Sequence, residues 1–377
     1  MIPSCSRDPR SGQIMVVSLL VLMMLLSGCK KKTPIQIGFA GTMTGNFADL
    51  GIAGRDGVTH AIEQANEQGG IEGRPLQLIT KDDQNLPEVA IQVDRELMEK
   101  HVVAIIGHMT STMSLAVIPL INEKKMLMIS PTTSTNSLSG LDDYFIRMTP
   151  PNKSETLRVA EHAIQRSLKK VFIVYDLSNL NYSGEWVANF KKAFTSQGGN
   201  IEGELTFNSS KNPSWKELTQ SFPQVKFDAL LIVAGAMDTA MIAQHLWKTG
   251  KSIPLLGCGW AKTLELIQNG GKSLEGAVFP RTYQPDFSKD AYRNFHESFT
   301  NRFGKEPNFA AVYGYEAASM LFAALRQNSD VRELRHTILK ENLYNGLQGD
   351  LRMDAYGDPS RSLKLLVIKN GEFVPLD

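Results

Sequence analysis

Two stretches of the chain follow the same pattern: Val102-Val103-Ala104-Ile105-Ile106-Gly107-His108-Met109-Thr110-Ser111-Thr112 and Met126-Leu127-Met128-Ile129-Ser130-Pro131-Thr132-Thr133-Ser134-Thr135-Asn136. In each, a short apolar run passes directly into a loop of small and hydroxyl-bearing residues. Runs this short, bounded by turn residues, read as buried strands over 102–106 and 126–129. The intervening residues 113–123 carry an apolar helical pattern, so the pair forms a strand–helix–strand unit. Strands linked in this way lie parallel in one sheet, with helices on both faces.

The pattern extends outward in both directions. Toward the N-terminus it predicts strands over 35–40 and 76–80, and helices over 52–68, closed by Gly69-Gly70, and over 87–100. A second series begins near residue 152. It comprises helices to 167, over 182–196 and over 238–248, with strands over 171–175, 201–207, 229–233 and 253–256. Two lobes of the same α/β kind are therefore expected. No Gly/Ser-rich linker separates them near 147–151. After a strand over 277–279 come helices over 289–303 and 309–326, then strand-like sequence near 347–353 and 363–368. The lobes thus exchange segments.

Composition fits this reading. The chain has 377 residues, 42% hydrophobic and 21% charged, enough for two domains with real cores. Its 40 basic and 39 acidic residues leave a net charge of +1, which excludes a dedicated nucleic-acid binder, since such proteins need clustered positive charge against phosphates. The three cysteines, Cys5, Cys29 and Cys258, are too few and too scattered for a disulfide framework or a zinc site.

Residues 1–28 read as a leader. Arg7 and Arg10 precede an uncharged apolar run over 14–26, short of the ~20 residues a spanning helix needs. The tetrad Leu26-Ser27-Gly28-Cys29 resembles a bacterial lipobox, which implies a lipid on the Cys29 sulfur and a mature chain beginning there. The alternative is a plain secretory signal. Removing the leader takes away Arg7, Arg10 and Asp8, so the mature chain is neutral, and residues 29–33, with three lysines, form a solvated tether beside the membrane.

Ligands of open α/β sheets sit beyond the carboxyl ends of strands, where helix N-termini offer free N–H groups. Both hydroxyl-rich loops lie there. Together they can bind a carboxylate without a basic side chain, through hydroxyls and main-chain amides. The plainer role for Ser111 and Ser134 is helix capping.

The stretches Gly69-Gly70-Ile71-Glu72-Gly73-Arg74, Asp82-Asp83, Ile105-Ile106-Gly107-His108 and Leu127-Met128-Ile129-Ser130-Pro131, in this order, resemble the leucine/isoleucine/valine-binding protein family, extracytoplasmic solute receptors of ABC transporters. The resemblance spans about residues 34–377. It implies an α/β fold of two Rossmann-like lobes, the type I periplasmic-binding-protein fold, joined by three crossings with the ligand cleft between them. The lobe boundaries it implies are 34–148 with 281–340, and 149–280 with 341–377. It also implies that Thr110, Ser111, Thr133 and Ser134 hold the ligand carboxylate and part of its amino group, and that Tyr182 closes over the ligand from the second lobe. Tyr182 has an alternative role as a half-exposed aromatic at a helix start.

Departures from the family matter as much. The acid that pairs with a ligand ammonium should follow the strand over 253–256, but the chain reads Gly257-Cys258-Gly259-Trp260. A buried ammonium without a counter-charge is too costly, so either another carboxylate substitutes or the ligand has no ammonium. Asp238 is the nearest substitute, and an Asp there also serves as an ordinary helix-start acid. Two aromatic positions of the leucine-binding relatives fall on Leu50 and Ala236, with Trp260 able to restore an aromatic wall. The family's disulfide falls on Asn85 and Thr110.

Enzyme signatures are missing from the sequence. There is no Gly-x-Ser-x-Gly elbow and no His-Glu-x-x-His helix among the seven histidines, and Gly270-Gly271-Lys272-Ser273 has Leu266 where a phosphate loop needs its first glycine. Asp82 and Asp83 read as solvated turn carboxylates. No cofactor or metal is expected. The sequence thus points to a lipid-anchored, extracytoplasmic solute-binding protein that hands a small carboxylate to a permease and its ATPase. The alternative for the same fold is a ligand-sensing or cell-wall-synthase-activating lipoprotein.

Overall fold

The computed structural model describes residues 32–222, 226–250, 252–283 and 285–376. The leader and Cys29 lie outside them. Among the described residues no helix is long and apolar enough to cross a membrane.

The first lobe is built on β1 (Ile35–Gly41), β2 (Leu76–Asp82), β3 (Ile105–Ile106), β4 (Met128–Ser130) and β5 (Phe145–Arg147), all parallel, in the order β2-β1-β3-β4-β5. Helices α1 (Ala48–Glu67), α2 (Pro87–Glu99) and α3 (Ser111–Lys124) connect the first four strands. Strand β5 was not expected from sequence. Three residues long and entered from a loop, it carries too little pattern to be read.

The second lobe alternates in the same way. Helices α4 (Lys153–Gln165), α5 (Leu180–Thr195), α6 (Trp215–Gln220), α7 (Ala236–Lys248) and α8 (Leu264–Gly270) flank strands β6 (Lys170–Asp176), β7 (Asn200–Phe207), β8 (Ala229–Val233), β9 (Leu255–Gly257) and β10 (Val278–Arg281). The chain then returns to the first lobe through α9 (Asp290–Phe303), α10 (Phe309–Gln327) and α11 (Leu334–Glu341). Helix α10 lies hard against α1, because Gly57 and Gly314 bring the two backbones together. A Cβ on Gly57 would stand 1.9 Å from the Ala311 carbonyl oxygen, and one on Gly314 would stand 2.4 Å from that of Gly54.

One lobe boundary needs correction. The chain does not leave the first lobe at 341. Strands β11 (Leu343–Gly346), β12 (Gly349–Met353) and β13 (Pro359–Ser360) form a small antiparallel sheet whose Leu347, Leu351 and Met353 pack into the first-lobe core. Only β14 (Lys364–Lys369) and β15 (Glu372–Pro375) join the second sheet, in the order β15-β14-β10-β9-β8-β6-β7. Apolar side chains on these short strands decide the lobe, and periodicity alone does not say which core they enter.

The chain therefore crosses between lobes after β5, after β10 and after β13. Two of these crossings are tied side by side. Buried Arg147 donates to Asp358 Oδ1 at 2.7 Å and to the Thr135 carbonyl at 2.6 Å, while Arg361 donates to the Met148 carbonyl at 2.7 Å and to Glu316 at 2.5 Å. Both arginines are buried with paired acids, so they register the hinge strands rather than add free charge to the cleft.

Candidate functional site

The first-lobe loops rest on a buried polar floor. Asp83, expected in a solvated turn, is fully buried: it accepts from Thr42 Oγ1 at 2.6 Å and meets His108 Nδ1 at 2.7 Å, while His108 Nε2 reaches Asp94 at 3.2 Å. Burial alone would push the His108 imidazole down, but the charges of Asp94 and Asp83 outweigh it and raise it to about 10. Imidazolium between two carboxylates explains the buried Asp83 and His108 just beyond otherwise apolar strands and the buried Asp94 of α2. The Ser130 and Thr133 hydroxyls donate to the His108 carbonyl, at 2.6 and 3.3 Å, and Thr133 bonds Ser114 at 2.6 Å.

This floor divides the four first-lobe hydroxyls expected at the ligand. Thr110 is the side-chain cap of α3, accepting from the Met113 N–H, and it donates to Asn85 Oδ1 at 3.3 Å. Thus the positions of the family's disulfide are joined here by a hydrogen bond. Thr133 is consumed in the floor, and Thr135 caps the short 3-10 turn Asn136–Leu138. Capping and bracing therefore fall on threonines. The Ser111 and Ser134 hydroxyls are left without a hydrogen-bond partner among the described residues, and both residues line the cavity between the lobes.

That cavity lies between the lobes and combines an apolar wall with a few convergent polar groups, the make-up usual for small-ligand sites. Its apolar wall includes Leu50, Met109, Tyr182, Trp260 and Tyr313. Tyr182 is buried and set edge-on to Trp260, with ring centroids 5.6 Å apart. Across the lobes, Phe47 stacks on Trp260 at 5.2 Å and 13°. Trp260 thus supplies an aromatic wall to the same cavity that Leu50 lines.

Further contacts hold the lobes closed. Asn179 Oδ1 accepts from the Thr112 N–H at 3.2 Å, Asn85 donates to the Ser178 carbonyl at 3.4 Å, and Glu185 accepts from the Asn136 N–H at 2.6 Å and from Thr135 Oγ1.

Asp238 is not brought to this cavity. It lines a neighbouring one with Asp49 and Glu265, on another side of Trp260, where burial and the charges of Asp176 and Asp49 push its carboxyl up to about 7. Three charged residues missed by sequence reasoning line the main cavity instead: Glu155, Lys262 and Arg281. Glu155 comes from the first turn of α4, an ordinary place for an acid. Its carboxylate lies against Gly259, whose missing side chain makes the room: a Cβ there would stand 2.7 Å from Glu155 Oε1. The Trp186 indole N–H donates to Glu155 at 3.4 Å. Burial pushes its carboxyl up to about 7, opposed by bonds from Trp186 and the Gly259 N–H and by the charge of Lys262.

Lys262 follows the 3-10 turn Gly259–Ala261 and is buried, with its ammonium 4.7 Å above the Tyr283 ring. Burial drives its pKa well below the usual lysine range, and the nearby Arg281 adds to the effect. Arg281 ends β10, and its Nε is buried without a partner. Neither cation has an ion pair among the described residues.

Comparison with known proteins agrees with this architecture. The sequence profile of the periplasmic binding protein family matches residues 34–372. The chain belongs to that family. Among its relatives, the Leu/Ile/Val-binding protein homolog 2 of Brucella abortus is 23% identical over 340 residues, covering 87% of this chain and 88% of the relative. The Leu/Ile/Val-binding protein of Escherichia coli K12 is 23% identical, covering 86% and 88%. Among solved periplasmic binding proteins, a leucine-binding protein from Thermotoga maritima superimposes with a TM-score of 0.80 at 25% identity, covering 91% and 98%. A solute-binding protein of an ABC transporter from R. palustris, in complex with benzoate, gives 0.82 at 20% identity, covering 91% and 95%.

Proposed function

We propose that this periplasmic binding protein is the extracytoplasmic solute receptor of an ABC transporter and that its ligand is a small molecule bearing a carboxylate, an amino acid or a related acid. One observation carries the ligand class: Ser111 and Ser134, just beyond the carboxyl ends of neighbouring strands, line the interlobe cavity with free hydroxyls while the threonines beside them do the structural work. Ser111 also opens α3, whose first N–H groups favour an anion. In this reading the ligand acid docks on the first lobe, and Tyr182 and Trp260 then close over its body. Differential contact with the closed form shifts the lobes toward closure. The permease recognises that closed form, and its ATPase drives uptake. Relatives named for leucine, isoleucine and valine, and neighbours solved with an amino acid or benzoate, support the carboxylate class.

A thermal-shift screen of amino acids, amides and aromatic acids tests the reading. At least one carboxylate raises the melting temperature, by mass action on the native state, and amides of the same shape do not. A flat response across all carboxylates contradicts it. The lipid anchor at Cys29 belongs to the same proposal. A Cys29→Ser variant expressed in a bacterial host leaves the membrane fraction for the soluble one, and retention in the membrane fraction contradicts the anchor.

A further inference from the structure

We infer that Lys262 and Arg281 set the charge of the ligand, so that the cleft selects organic acids with net negative charge and no ammonium group over zwitterionic amino acids of the same shape. The inference rests on the carboxylate reading above and narrows it. Among the described residues, Lys262, Arg281 and Glu155 are the only basic or acidic side chains lining the cavity, two basic against one acidic. The first-lobe hydroxyls are neutral and cannot redress the balance. A zwitterion brings no net charge and leaves Lys262 where burial and Arg281 already disfavour its ammonium, whereas an anion offsets Arg281 and favours the protonated lysine.

The geometry points the same way. Lys262 sits on the face of Tyr283, which steadies the ammonium while its N–H donors stay unused. The buried Nε of Arg281 is likewise without a partner. Both are donors for which the protein provides no acceptor, so a ligand ammonium, itself only a donor, finds no partner beside them. An ammonium would be a third cation here. Its one acidic neighbour, Glu155, already accepts from the Trp186 and Gly259 N–H groups. The other acids near the cleft, Asp49, Asp238 and Glu265, face the neighbouring cavity.

The test is equilibrium binding by calorimetry to the mature chain of two shape-matched pairs: 4-methylpentanoate with L-leucine, and 3-phenylpropionate with L-phenylalanine. The acid lacking the ammonium binds about tenfold tighter or more than its amino acid, the scale of one charge-assisted bond. In Lys262→Met that preference shrinks severalfold, and in Lys262→Arg it is retained. Equal or tighter binding of the amino acids, or an unchanged preference in a folded Lys262→Met, overturns the inference while leaving the carboxylate reading intact. Binding of neither member of either pair to the folded chain, together with a flat carboxylate screen, overturns both.

Discussion

The two faces of the cleft are built on opposite principles. The first-lobe face presents neutral hydroxyls, Ser111 and Ser134, on a floor of buried and mutually satisfied polar groups. The second-lobe face and the crossing after β10 present rings and unpaired charge: Tyr182, Trp260, Glu155, Lys262 and Arg281. A rigid neutral cradle suits the carboxylate common to many ligands, and a charged aromatic wall suits discrimination among the rest of each molecule. Changes under the first face should therefore cost stability, changes at its hydroxyls should cost affinity for every carboxylate alike, and changes on the second face should alter which ligand is preferred.

The sharpest break is expected under the floor. His108→Ala strands Asp83 and Asp94 as buried carboxylates without a counter-charge, a loss of about 3–5 kcal/mol measurable by urea unfolding. The same imidazole sets a pH signature. Its folded value of about 10 lies above its ordinary 6.5, so the stabilisation is complete below pH 6.5 and is lost as pH rises toward 10. Unfolding curves at pH 6 and pH 9 check this, and the drop is absent from the His108 variant.

Ser111→Ala comes next. It should weaken every carboxylate the protein binds by about 1–3 kcal/mol with the unliganded melting temperature almost unchanged, since Thr110 rather than Ser111 caps the helix. A variant that melts early and binds normally would return Ser111 to a structural role. Phe47→Ala removes the stack on Trp260 across the lobes and should cost about 0.5–1.5 kcal/mol of affinity, seen mainly as faster release.

Smaller still is a pH effect on binding. Glu155 titrates at about 7 in the buried cleft, with Lys262, Tyr182 and Cys258 around it. An arriving anion favours its protonated form, so proton uptake accompanies binding and affinity for an acid should rise severalfold from pH 8 to pH 6. Glu155→Gln should flatten that slope in a calorimetric titration. Asp238→Asn, in the neighbouring cavity, should shift ligand affinity by less than about 0.5 kcal/mol.

Much of this was legible in the sequence. Apolar runs such as Ile35–Gly41 and Ala229–Val233 are long enough and cleanly bounded, so strand, parallel pairing and two-lobe division follow from period and spacing. The two serine-bearing loops were legible for the same reason: strand ends and hydroxyl clusters are local features. What stayed hidden depends on distant residues meeting. Glu155 looks like any first-turn acid until Gly259, about a hundred residues later, is seen to make room for its carboxylate. Asp83 looks like a turn acid until His108 folds onto it. Lys262 and Arg281 are isolated basic residues whose lack of partners appears only when the lobes close. The extra β11–β13 sheet follows the same logic, since its apolar side chains do not announce which core they enter.

The central division of labour is tested most directly by a crystal structure of the mature chain with the tightest-binding acid from the screen. The account predicts the ligand carboxylate within about 3 Å of the Ser111 and Ser134 hydroxyl oxygens, with the body of the ligand against Trp260 and its remaining charge or polarity toward Lys262 and Arg281. A carboxylate held away from both serines, or a ligand lodged beside Asp238, would contradict it.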